Sequence, residues 1–86
     1  MKMNKIVNTK FYEILNHLKL YGKCCIRKVY RELDYSFTSV YKDTKYLYDS
    51  GLVEKCSDKK DKRLVYLSLT EKGEKVLHYL EEILKE

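Results

Sequence analysis

The chain has 86 residues with 18 Lys and Arg against 13 Asp and Glu, a formal net charge of +5. Its length admits one domain, and the 44% hydrophobic, 36% charged balance fits a soluble globular fold and excludes a long disordered tail. No apolar run approaches the ~20 residues of a membrane span and no signal-like stretch opens the chain, so a cytoplasmic location is expected (the host cytoplasm for a virus- or plasmid-encoded chain).

The first helix is predicted over residues 9–21. Asn8 or Thr9 can cap it, Phe11, Ile14, Leu15 and Leu18 share one face, and Gly22 stops it. A short strand is expected at residues 23–25. Ile26, Val29, Tyr30 and Leu33 have helical spacing within residues 26–34, with Arg27, Lys28 and Arg31 on the other face. After a tight turn, Ser36 can cap a third helix over residues 36–50, with Val40, Thr44 and Leu47 inward and Gly51 as its stop. Two helices so joined have the form of a helix-turn-helix. Residues 52–69 read as a β-hairpin around a charged tip, Asp58 to Lys62, in which Val65, Leu67 and Leu69 alternate with Leu64, Tyr66 and Ser68. Thr70 caps a last helix over residues 71–85, with Glu71 and Glu74 favourably placed in its first turn. The fold class is therefore α+β, mostly helical, in a single domain.

Charge is unevenly placed. Residues 71–86 sum to −2, so residues 1–70 carry +7 and can attract a polyanion. This order of elements is that of a winged helix-turn-helix, and the chain resembles the MarR family in two segments. One is the third helix running into Gly51, Leu52 and Val53. The other is the wing, where Asp61, Arg63, Leu69, Thr70 and Gly73 stand in the D-x-R-x5-L-T-x-x-G spacing. The likeness covers about residues 9–73.

The resemblance implies sequence-specific binding of double-stranded DNA, with the third helix in the major groove and the wing at the minor groove. It gives Arg63 the minor-groove contact and Asp61 the task of positioning that arginine. Phe37, Thr38, Ser39, Tyr41, Lys42 and Lys45 lie where a recognition helix reaches bases and phosphates. Lys59, Lys60 and Lys62 would lie near phosphates, and Arg27, Lys28 and Arg31 where a helix crosses the backbone. The bland alternative is an ordinary solvated face for the two helices and, for the wing, a charged hairpin tip that limits edge pairing.

Val76, Leu77, Leu80, Ile83 and Leu84 form a stripe wider than one small core needs, so the last helix is expected to pair with its copy in a homodimer. MarR-type regulators carry further helices that enclose an effector pocket, and with one helix after the wing no small-molecule effector is expected here. The resulting expectation is a small transcriptional regulator, a repressor acting by steric occlusion. Other readings are a winged-helix protein-interaction module and a sequence-neutral architectural DNA binder.

The remaining residues offer no catalytic arrangement. Neither His17 nor His78 is expected to have a nearby nucleophile and carboxylate arrangement of the kind catalysis needs, and there is no phosphate-cradling glycine loop, so neither an enzyme nor a cofactor is expected. Cys24, Cys25 and Cys56 show no metal-ligand spacing. Cys24 is expected to fill the core and Cys25 to replace a Ser or Thr cap, with a redox switch as the alternative. Tyr35 is expected to pack at the helix-turn-helix, whereas Tyr30 and Tyr66 should sit at the core edge with their hydroxyls in water.

Overall fold

The computed structural model describes residues 9–61 and 63–84. Its elements are α1 (Thr9–Tyr21), β1 (Cys24–Cys25), α2 (Ile26–Leu33), α3 (Phe37–Asp49), β2 (Val53–Ser57), β3 (Val65–Leu69) and α4 (Glu71–Leu84). The sequence expectations for Asn8, Lys62 and Lys85 lie outside the described residues.

The core follows from the helical periodicities. Phe11, Ile14, Leu15 and Leu18 of α1 meet Val29 of α2, Val40 and Leu47 of α3, and Leu77 and Leu80 of α4. The strands are antiparallel in the order β1-β3-β2, and Cys24 opposite Leu67 closes the sheet over this cluster. Both residues are buried. Burial of the Cys24 thiol raises its pKa, so it packs as an apolar side chain.

The helix-turn-helix is set by two local devices. Asp34 ends α2 in the left-handed conformation, φ 60°, and its N–H reaches the Arg31 carbonyl at 3.3 Å. Ser36 then starts α3, its hydroxyl oxygen accepting from the Ser39 N–H at 3.2 Å. Cys25 holds the N-cap position of α2, but its side chain makes no capping bond. The backbone geometry of the cap is kept while the hydrogen bond that Ser or Thr would supply is missing.

One threonine joins the exit of α3, the end of the wing and the start of α4. The Thr70 hydroxyl donates to the Gly51 carbonyl at 2.7 Å and accepts from the Gly73 N–H at 2.9 Å. The Thr70 N–H reaches the Leu52 carbonyl at 3.1 Å, and Lys72 Nζ reaches the Ser50 carbonyl at 3.0 Å. Gly51 makes the corner with φ +79°, a region that disfavours residues with a Cβ.

Candidate nucleic-acid interface

The three inward residues of α3, Val40, Thr44 and Leu47, are buried. Burying that side fixes which side is presented outward: Phe37, Thr38, Tyr41, Lys42 and Lys45 are exposed, and Ser39 is half-buried beneath them. Lys42 has no carboxylate partner among the described residues. Lys45 does pair, with Asp49 one turn on at 3.3 Å. Exposed i,i+4 pairs contribute only ~0.3–0.5 kcal/mol, so Lys45 can exchange Asp49 for another anion.

Three rings occupy the entrance to α3. Phe37 and Tyr41 stack with centroids 5.7 Å apart, and Tyr30 of α2 meets Phe37 edge-on at 5.3 Å. Tyr30 therefore supports the outer face of α3 from behind, a link its own helical spacing does not reveal.

The wing arginine is held by its neighbour. Arg63 Nε and Nη2 donate to the two carboxylate oxygens of Asp61 at 3.1 and 3.3 Å, and the Arg63 N–H donates to the same carboxylate at 3.0 Å. These bonds hold the Asp61 carboxyl below its usual pKa, the Arg63 side chain contributing most. The guanidinium stays in water, with the Arg63 side chain 91% exposed. Asp58 shapes the tip by accepting from the N–H groups of Lys60 and Asp61 at 2.8 and 3.0 Å, and these backbone bonds lower its pKa.

A notch of about 360 Å³ brings the two parts together. Its walls include Arg27 and Tyr30 of α2, Phe37 at the start of α3, and Arg63 at the wing. The other basic residues divide. Arg31 is exposed one turn beyond Arg27. Lys28 instead lies over the Tyr21 ring at 5.8 Å, toward the end of α1. Lys59 and Lys60 are exposed at the wing tip, where they share a second hollow with Lys23 and Tyr66. Lys23 was not singled out by sequence reasoning. Only the β1–β3 pairing, which sets Cys25 opposite Tyr66, brings it to the wing.

Two side-chain contacts and the division of one apolar stripe go beyond the sequence expectation. Tyr66 donates its hydroxyl to Asp58 at 3.2 Å instead of presenting it to water alone; desolvation and this bond raise its pKa. His17 gains a carboxylate partner that no local spacing announces, because packing α1 on α2 sets its Nε2 against Glu32 Oε1 at 2.5 Å. The apolar stripe of α4 also splits. Leu77 and Leu80 are fully buried in the core shared with α1 and so are not available to a second chain. Val76 is half-buried, and Ile83 and Leu84 remain exposed together with Tyr79. Among the described residues, no group of three or more His, Cys, Asp or Glu side chains converges to hold a metal ion, and no helix is long and apolar enough to cross a membrane.

A helix-turn-helix whose second helix presents a polar and basic face beside a β-hairpin defines a winged-helix protein. The chain belongs to the winged helix DNA-binding domain family, whose model matches residues 7–73. Its neighbours among solved structures are MarR-family transcriptional regulators. The transcriptional regulator BldR from Sulfolobus solfataricus superposes with a TM-score of 0.84 at 23% identity, over 91% of this chain and 55% of that one. The PcaV transcriptional regulator from Streptomyces coelicolor gives 0.82 at 26% identity, over 86% and 54%. A mutant MarR from E. coli complexed with operator DNA gives 0.75 at 18% identity, over 83% and 51%. The chain thus spans about half the length of the solved structures it matches. No curated protein sequence matches it.

Proposed function

We propose that the chain binds double-stranded DNA sequence-specifically as a homodimeric transcriptional regulator, a repressor that occludes its site. The observation that carries this reading is the shared notch. Arg27, Phe37 and Arg63, from α2, α3 and the wing, line one concave surface, so a single duplex can meet all three elements. In this reading the face of Phe37, Thr38, Ser39, Tyr41, Lys42 and Lys45 enters the major groove, and Arg63, oriented by Asp61, enters the minor groove. Arg27, Arg31, Lys59 and Lys60 neutralise phosphates, with Lys28 at the margin and Lys62 assigned by sequence alone. Phosphate neutralisation supplies most of the affinity and α3 the sequence preference.

Titration of random duplex DNA across salt tests the reading. Affinity should fall with a log-log slope of about −0.9 per phosphate contacted, and Lys42→Ala should reduce the slope by about 1. Arg63→Ala should weaken binding while leaving the thermal transition in place. An interaction module with another protein as its partner would show no salt-dependent affinity for DNA. Selection from a random duplex pool should enrich an inverted repeat with half-sites ~34 Å apart; a pool without a motif would indicate a sequence-neutral binder.

A further inference from the structure

The two rings at the start of α3 are unusual occupants of an outward, basic surface. Phe37 is 48% and Tyr41 49% exposed, and they stand one turn apart on the face that carries Thr38 and Lys42. Tyr30, edge-on to Phe37, and the Phe37–Tyr41 stack hold the rings in place before anything binds. The same helix has no Arg, Asn or Gln, so it lacks the forked groups that pair with guanine or adenine. In the major groove the bulky apolar feature of a base pair is the 5-methyl group of thymine; G·C pairs lack that methyl and present mainly polar groups, guanine N7 and O6 and the cytosine amino group, which these rings would desolvate without a partner.

We propose that Phe37 and Tyr41 form an apolar reading edge that selects thymine through its 5-methyl group. This rests on the DNA-binding reading above and adds to it the base that the helix prefers. Arg27, in the notch beside Phe37, and Lys42, one residue from Tyr41, hold the backbone while the rings meet the methyl groups.

The test compares two duplexes of equal length, alternating dA·dT and alternating dA·dU, at one salt concentration by fluorescence anisotropy. They differ in the methyl group. Wild type should bind the thymine duplex more tightly, by about fourfold for each methyl contacted. Phe37→Ala and Tyr41→Ala should each shrink this ratio while keeping the salt slope and the folded circular dichroism spectrum. Equal affinity of wild type for both duplexes would overturn the thymine assignment and leave DNA binding intact. A ratio that persists in both variants would assign the preference to duplex shape and also overturn it. Absence of binding to either duplex would overturn the DNA-binding reading together with this one.

Discussion

Gly73 has no room for a side chain. A Cβ built there would lie 2.1 Å from the Leu52 carbonyl oxygen and 2.8 Å from Leu69 Cδ1, so α4 seats directly on backbone that cannot swing aside. Gly73→Ala should therefore destabilise the domain by at least ~1–3 kcal/mol, the range for overpacking, measured by urea denaturation. Asp61 acts differently. With Arg63 almost wholly in water, their ion pair adds little to stability, and its effect is to aim the guanidinium. Asp61→Asn should leave the denaturation midpoint nearly unchanged and lower duplex affinity; an affinity equal to wild type would remove the positioning role. The acid limit of the pair has a definite sign. Because the folded Asp61 pKa is lowered, its stabilising contribution is present above the ordinary carboxylate value of about 4 and is lost as pH falls through the lower folded value. Glu32, lowered by its hydrogen bond with His17, follows the same rule. Following both carboxyl carbons by NMR during acidification should give midpoints each below the ordinary value of its own residue type.

At the scale of elements, Thr70 concentrates several junctions in one side chain. Thr70→Ala removes the cap of α4 and the bond to the Gly51 carbonyl together, and should cost about 1 kcal/mol or more in thermal denaturation. Thr70→Ser keeps the hydroxyl and should recover most of it. Elements of this kind were legible because their signals are local. Ser36 three residues before the N–H it caps, the inward spacing of Val40, Thr44 and Leu47, and the alternation around Leu67 all lie within two helical turns or one strand. The pairing of His17 with Glu32, of Tyr66 with Asp58, and the arrival of Lys23 at the wing depend on which elements pack together. No short spacing encodes those contacts. The same distinction explains Cys25, where position predicts an N-cap and the side chain supplies no cap bond. In α4, periodicity marked an apolar stripe but could not divide it between the core and a partner, since that division follows from how far α1 covers it.

For the whole molecule, that division determines how self-association can be tested. Removing everything after Gly73 would strip Leu77 and Leu80 from the core and unfold the domain, so truncation cannot separate assembly from folding. Point changes can. Leu77→Ala should cost ~2–5 kcal/mol in stability, because it opens a cavity among fully buried neighbours. Ile83 is 50% exposed and Leu84 40%, beside Tyr79 at 67%, so a charge at Ile83 disturbs little within one copy. If α4 pairs with the α4 of a second copy about a two-fold axis, as the homodimer reading requires, Ile83 would lie in an apolar seam, where an unpaired carboxylate is costly to desolvate. Glu81 and Glu82 alongside make a further negative charge still less favourable there. Ile83→Asp should thus halve the mass found by sedimentation equilibrium while preserving the thermal transition of the monomer. It should also weaken binding to an inverted repeat far more than binding to a single half-site, since only the former engages two linked domains. A wild-type chain that sediments as a monomer would remove α4 as the seam, as would an Ile83→Asp variant that remains dimeric.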